Sequence, residues 1–158
     1  MKVGVTGHQD REGIQWSWVK RTVRIELGKL QNVQKALSCL AGGADQVFAE
    51  AALSLSIPVV AVVPLNGYER FFDGPALANY RRLLAHCELV QLGWEGDPER
   101  AFFEAGKFVA DNCDLLFAVW DGESAEGLGG TGDVVKYAKE RRCAIVCINP
   151  YTKSVQII

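Results

Sequence analysis

The chain has 158 residues, of which 49% are hydrophobic and 23% charged, and its formal net charge is −2. This balance is typical of one globular domain with a substantial core, and it excludes the basic face that duplex-binding proteins carry. No apolar run reaches the roughly 20 residues of a membrane span, and the N-terminus lacks the layout of a signal peptide. We therefore expect one domain over residues 1–158, in the cytoplasm, with no membrane and no nucleic-acid partner.

The first half of the chain alternates short apolar runs with segments of helical periodicity. The predicted elements are a strand at 2–6, a helix at 14–30, a strand at 36–40, a helix after Asp45 and a strand at 57–63. Residues 65–78 show no regular pattern and are predicted as a long connection, a type that is often functional.

The second half continues the alternation. Its predicted elements are a helix at 79–86, a strand at 89–92, a helix from Asp97, a strand at 115–120, a helix at 134–142 and a strand at 144–148. The strands are continuous apolar runs, which is typical of a parallel sheet covered on both faces. The sequence therefore predicts an α/β fold, a single Rossmann-like, doubly wound, mainly parallel sheet with helices on both faces.

The cysteines point to structural thiols. They are odd in number and contain no close CxxC pair; they are Cys39, Cys87, Cys113, Cys143 and Cys147. Cys143 and Cys147 share a strand face, but four strand residues place them about 13 Å apart, too far to hold one metal ion. We expect reduced thiols and no metal site.

Three of the predicted strands end in turns rich in glycine, and the third opens the helix that begins near residue 134. The carboxyl ends of parallel strands lie at one edge of the sheet, where glycines let backbone amides approach a phosphate and a helix start attracts anions. The spacing fits neither a dinucleotide-binding GxGxxG nor a phosphate loop ending in GK[ST]. We expect a nucleotide-like ligand such as AMP or ADP-ribose. The predicted ligand-binding residues are Thr6, Gly7, His8, Gly42, Gly43, Ala44, Asp45, Trp120, Asp121, Gly122, Gly129, Gly130, Thr131, Gly132 and Asp133.

These motifs resemble the SLOG superfamily of Rossmann-like domains, which includes the LOG, Smf/DprA and YpsA-like proteins. The resemblance is carried by Thr-Gly-His at 6–8, Gly-Gly-Ala-Asp at 42–45, the apolar run at 113–120 and Gly-Gly-Thr at 129–131. It covers Val3 to about Asn149, and 114–133 is its most specific part. It implies that residues 129–132 hold a nucleotide phosphate, with Gly7, Gly43 and Ala44 along the same ligand. LOG proteins are commonly dimers, so it also implies a homo-oligomer.

The sequence departs from the LOG enzymes, which cleave the N-glycosidic bond of nucleoside 5'-monophosphates. Their motif is Pro-Gly-Gly-x-Gly-Thr-x-x-Glu, preceded by an Arg-Lys pair on the upstream helix. Here no proline precedes Gly129, Val134-Val135 stand in place of the Leu-Glu stretch, and Gly106 stands where the arginine would be. The resemblance therefore supports binding better than cleavage. If the chain does cleave, Asp133 or Glu123 is the candidate carboxylate, although Asp133 is also a typical helix-start charge.

Several other residues have two interpretations. His8 contacts phosphate or transfers a proton, unless it is structural. Asp121 accepts hydrogen bonds from ribose hydroxyls or only forms an Asp-Gly turn. Tyr68, Phe71 and Phe72 form either a lid that stacks on a base or a satellite apolar cluster under the long loop.

Three functions follow. The first is a sensor or carrier that binds a nucleotide or nucleotide-derived ligand. The second is a LOG-type nucleoside 5'-monophosphate phosphoribohydrolase, and the third is a structural or interaction domain in which the glycines only make turns. In the first two of these functions, Arg81 and Arg82 are candidates to contact an anionic ligand with their positive charge. The alternative is that both arginines lie on a solvated helix face.

Overall fold

A computed structural model describes residues 1–125 and 128–158. The strands are β1 (Lys2–Gly7), β2 (Lys35–Ser38), β3 (Val59–Val63), β4 (Glu88–Gln91), β5 (Leu115–Val119), β6 (Ala144–Asn149) and β7 (Ser154–Ile157). The helices are α1 (Trp16–Gly28), α2 (Ala44–Ser54), α3 (Gly74–Leu84), α4 (Pro98–Asp111) and α5 (Thr131–Glu140), with a 3₁₀ turn at Tyr68–Phe71.

The strands form one seven-stranded sheet in the order β4-β3-β2-β1-β5-β6-β7. All neighbouring pairs are parallel except β6 and β7. The chain runs outward from β1 to β4, then crosses back to β5 on the other side of β1. The strand order therefore reverses between β1 and β5, and such a switch point is where open α/β sheets form their ligand crevice. The predicted α/β, mainly parallel fold is confirmed.

Helices cover both faces of the sheet, as the continuous apolar strands predicted. Side chains alternate along a strand, so β5 contributes to two cores. Phe117 and Val119 pack in the core beneath α1 and α2, where the Phe48 and Phe117 ring centroids lie 5.4 Å apart. Leu116 and Ala118 pack in the core beneath α4 and α5. The parallel pairing of β1 with β5, in which Gly7 lies opposite Val119, places the ends of the two strands side by side.

Most elements differ from the predicted bounds by three residues or fewer, and two differ by more. Helix α3 begins at Gly74 rather than at Asn79, because Pro75 stands in its first turn, where a missing N–H costs no helical hydrogen bond. The edge strand β7 was not predicted. Its four residues are mostly exposed and alternate polar with apolar side chains, which is too short a pattern to separate from a loop.

Within the described residues, no helix combines the length and the apolar character needed to cross a bilayer. The five cysteines are free thiols, and each is partly buried.

Candidate functional site

A cleft of about 960 Å³ opens at the carboxyl edge of the sheet, beside the switch point between β1 and β5. The segment after β1, the start of α2 and the segment leading into α5 line it, and residues from the 3₁₀ turn and the start of α3 add a further wall. The three glycine-rich turns singled out in the sequence are thus neighbours in space.

Most of the predicted ligand-binding residues line this cleft. They are Thr6, Gly7, His8, Gly42, Asp45, Trp120, Asp121, Gly129, Gly130, Thr131 and Gly132, and Glu123 lines it as well. Four others do not: Gly43, Ala44, Gly122 and Asp133. Their contact with a ligand stays a prediction. Glu126 and Gly127, which belong to the same glycine-rich stretch, lie outside the described residues.

Gly43 and Ala44 join the start of α2 to the end of β1. A Cβ on Gly43, whose φ is +84°, would lie 2.6 Å from the carbonyl oxygen of His8, and one on Gly7 would lie 2.4 Å from the Cβ of Ala44. The N–H of Ala44 donates to the carbonyl of His8 over 3.0 Å. Only residues without side-chain bulk permit this approach, which places α2 against the cleft.

The glycine-rich loop before α5 packs against the first turn of that helix. Gly130 is the N-cap of α5. Asp133 accepts a hydrogen bond from the N–H of Gly129 over 3.1 Å, and a Cβ on Gly132 would lie 2.8 Å from the backbone nitrogen of Ala125. The Asp133 carboxylate thus holds its own loop, while Thr131 and Gly132 face the cleft from the first turn. The first N–H groups of a helix have no intrahelical partners, so this turn is suited to an anion.

At the switch point, His8, Arg11 and Asp121 form a cluster. Asp121 donates its backbone N–H to Nε2 of His8 over 3.1 Å, and the Arg11 guanidinium donates to Oδ2 of Asp121 over 3.2 Å. Burial, followed by the Arg11 charge, lowers the pKa of His8, which favours the neutral imidazole that accepts this bond. Burial alone would raise the pKa of Asp121, but the N–H of Glu123, His8 and Arg11 together lower it.

Arg11 could not be singled out from the sequence. It lies in the loop after β1, outside any motif, and only the fold brings it to the end of β5. Among the described residues that line the cleft it is the one arginine, and no lysine is among them.

On the α2 side, the cleft wall is buried and acidic. Asp45 stands in the first turn of α2 and is only 7% exposed, and the N–H of Ala41 reaches its Oδ2 over 3.4 Å. Burial raises the pKa of Asp45 to about 7. Beside it, the hydroxyl of Tyr68 donates to the carbonyl of Cys39 over 3.0 Å.

The aromatic residues of the long connection were predicted to form either a lid over a base or a satellite apolar cluster, and they combine features of both. Tyr68 and Phe72 are buried in the core, with ring centroids 4.9 Å apart, whereas Phe71 is 40% exposed and packs on Phe102 at 5.1 Å. All four rings line the cleft. They form an apolar wall on which a flat ring can pack, and of the three predicted lid residues only Phe71 is exposed as a lid would require.

The cleft carries more negative than positive side chains. Five carboxylates line it, against one arginine: Asp10, Asp45, Asp73, Asp121 and Glu123. Arg81 and Arg82, predicted as possible anion contacts, instead form exposed ion pairs with Glu69 and Glu50, and neither lines the cleft. The described part of the chain contains no group of three His, Cys, Asp or Glu side chains placed to hold a metal ion.

A second hollow of about 610 Å³ lies beside β6 and β7. Trp120 lines both hollows, and its indole N–H donates to the carbonyl of Glu123 over 2.8 Å. Gly122 lines this second hollow, together with Lys139 and polar residues of the β6–β7 hairpin.

No family model and no curated protein matches the chain. Solved structures that share its fold include the following two. DNA processing protein A (DprA) from Streptococcus pneumoniae matches 94% of this chain with a TM-score of 0.65 and 19% identity, and the chain spans half of DprA. The protein TM1055, a structural genomics target, matches 94% of this chain and 74% of its own length with a TM-score of 0.60 and 14% identity. These matches confirm the Rossmann-like fold predicted from the sequence.

Proposed function

We propose that the cleft binds a nucleotide or a nucleotide-derived ligand, and that the protein acts as a sensor or carrier of it. One observation carries the proposal. The first turn of α5 and the Arg11 side chain line the same cleft as the aromatic wall of Tyr68, Phe71 and Phe102. A phosphate on the helix start and a base on the rings would use both features.

The charge of the cleft limits which classes of nucleotide can bind. With five carboxylates against one arginine, a triphosphate or a nucleic-acid backbone would meet repulsion along most of the wall. A nucleoside carrying one phosphate, or a diphosphate shielded by a second nucleoside part as in ADP-ribose, fits this charge better. DprA is named as a DNA-processing protein. For this chain we favour a small ligand, because its formal net charge is −2 and its cleft is acidic.

Cleavage of a nucleoside 5'-monophosphate is the second candidate. Of the two carboxylates predicted as catalytic, Glu123 lines the cleft, whereas Asp133 does not line it and accepts a hydrogen bond from the N–H of Gly129. The absence of the proline and the glutamate of the LOG motif also argues against cleavage. The third candidate is a domain with only structural or interaction roles. Such a role does not explain why glycine turns, a buried carboxylate and aromatic rings share one cleft.

A ligand panel tests the proposal. Thermal unfolding is measured with AMP, ADP-ribose, NAD, cyclic nucleotides and a single-stranded DNA oligonucleotide. A ligand at about 100 times its Kd stabilises the protein by about 2.7 kcal/mol, a clear rise in Tm. We expect AMP or ADP-ribose to raise Tm and the oligonucleotide to leave it unchanged. A panel without any rise contradicts the proposal.

Turnover is measured in the same samples, as release of free base and ribose 5-phosphate from AMP. Binding without release supports a sensor or carrier, and rapid release supports the glycosidase. The homo-oligomer and the single domain over 1–158 stay predictions, which light scattering after gel filtration and limited proteolysis would test.

A further inference from the structure

Asp45 combines deep burial with access to the cleft. It is 7% exposed yet is part of the cleft wall, between Gly42 and the aromatic residues. Fully buried carboxylates are rare in proteins unless a cation or several donors pair with them. In the described part of the chain no side chain donates a hydrogen bond to Asp45; its carboxylate is contacted by the backbone N–H of Ala41, at a long 3.4 Å, and by that of Cys39.

The neighbouring titratable groups do not supply a partner. They are the Cys39 thiol, at the end of β2, and the Tyr68 phenol from the 3₁₀ turn. Burial raises the pKa of both well above its ordinary value, so both stay neutral and neither offers a positive charge. The Tyr68 hydroxyl already donates to the carbonyl of Cys39. The carboxylate therefore keeps hydrogen-bonding capacity for a group that enters the cleft.

We propose that Asp45 recognises the ligand by accepting a hydrogen bond from a donor on it, either a ribose hydroxyl or an amino group of the base. This inference rests on the proposed function and adds the residue that selects the ligand. Hydrogen bonds from a hydroxyl or amine to a carboxylate are roughly twice as strong as neutral ones. A ligand that lacks this hydrogen-bond donor would leave the buried carboxylate unpaired. The site would therefore bind such a ligand much more weakly.

Recognition by Asp45 makes binding depend on pH. The pKa of Asp45 is about 7 in the free protein because burial disfavours its charged form. A ligand donor favours that charged form, so affinity rises as pH rises through 7. If the bound pKa falls below 6, the gain between about pH 6 and pH 8 approaches tenfold.

The experiment compares the wild type, Asp45→Asn and the control Glu95→Gln, which removes a charge on the exposed β4–α4 loop away from the cleft. Kd for AMP is measured at about pH 6 and pH 8 by calorimetry. The AMP phosphate itself titrates near pH 6, so the pH effect is taken as the ratio of wild-type to variant affinity, which cancels the ionisation of the ligand. We expect this ratio to rise about five- to tenfold against Asp45→Asn and to stay flat against Glu95→Gln.

Ligand analogues identify the donor. The 2'-deoxy and 3'-deoxy forms of AMP each lack one ribose hydroxyl, and purine riboside 5'-monophosphate lacks the amino group of the base. We expect one of these analogues to bind the wild type at least tenfold more weakly than AMP does. The affinity of that analogue should be the same for the wild type and for Asp45→Asn. If all three bind like AMP, the inference is wrong.

The remaining outcomes separate the inference from the proposed function. AMP binding with the same pH dependence in the wild type and Asp45→Asn overturns the inference alone, whereas a ligand panel in which no nucleotide binds the wild type overturns both. If Asp45→Asn does not fold, the carboxyl carbon of Asp45 is titrated by NMR in the wild type. Saturating AMP should lower its pKa by about one unit or more, and an unchanged pKa overturns the inference.

Discussion

Arg11 and Asp121 form an ion pair that connects the loop after β1 to the end of β5, with 3.2 Å between the guanidinium nitrogen and Oδ2. The pair crosses the point where the strand order reverses, so it lies at the mouth of the crevice that this topology creates. Arg11 is partly exposed, and ion pairs of this kind contribute about 0–1 kcal/mol to stability. A phosphate can therefore replace Asp121 as the partner of Arg11 at little cost.

We predict that Arg11→Gln weakens AMP binding about tenfold and leaves adenosine binding unchanged, because a charged hydrogen bond to phosphate contributes about 1.5–3 kcal/mol, partly offset by the broken pair with Asp121. Arg21→Gln is the matched control, since it removes the same charge from the exposed face of α1. Calorimetry at low salt measures both ligands. An equal loss for adenosine would mean that Arg11 supports the fold of the cleft rather than a phosphate.

Gly7→Ala should destabilise the protein by about 1–3 kcal/mol, because the new Cβ would lie 2.4 Å from the Cβ of Ala44 and 2.9 Å from that of Val119. Gly28→Ala is the control, because a Cβ added there, at the end of α1, would meet nothing within 4 Å. It should be neutral or slightly stabilising. Urea unfolding gives both values. Equal stability of the two variants would contradict the close contact between β1 and α2.

The buried carboxylate of Asp45 should make the protein less stable as pH rises. Its pKa is about 7 in the folded protein against an ordinary 3.8, so the folded state binds the proton more tightly than the unfolded state between these values. The free energy of unfolding attributable to this group therefore falls as pH rises from about 4 to 7. The loss is at most about 4 kcal/mol above pH 7. Asp45→Asn should not show this loss of stability. The measurement is the difference in free energy of unfolding between the wild type and Asp45→Asn, obtained by urea unfolding at several pH values. A pH-independent difference would contradict the burial of the charge.

Asp133→Asn should leave AMP affinity unchanged or slightly improved. The carboxylate accepts from the N–H of Gly129 and lies outside the cleft lining, so it only weakly repels a phosphate on the first turn of α5. Stability should fall by about 0.3–1 kcal/mol, because a negative charge near a helix start is favourable. Base release from AMP by the wild type, abolished by this substitution, would instead identify Asp133 as a catalytic residue.

The fold followed from the sequence because the buried strands are long apolar runs whose order with the helices leaves few arrangements. Elements with weaker patterns were missed or misplaced, namely β7 at the exposed edge and the start of α3 before Asn79. Strand β7 depends on its pairing with β6 more than on local periodicity, whereas the early start of α3 rests on Pro75 in its first turn, outside the periodic apolar pattern.

The candidate site was predicted less completely than the fold. Glycine turns at strand ends indicated the edge of the sheet at which the cleft opens, because that edge follows from topology alone. The position of Arg11 could not be predicted, since a loop residue has no periodicity and reaches Asp121 only through the pairing of β1 with β5. The packing role of Gly43 and Ala44 was equally hidden, because it arises from the approach of α2 to His8.

The most direct measurement is the structure of the protein crystallised with AMP. We predict that the phosphate lies within hydrogen-bond distance of the N–H groups of Thr131 and Gly132, with the Arg11 guanidinium turned from Asp121 toward it. The adenosine should lie inside the cleft, in contact with the aromatic wall. A phosphate bound elsewhere on the protein, or AMP bound in the second hollow beside Lys139, would contradict the proposed nucleotide site.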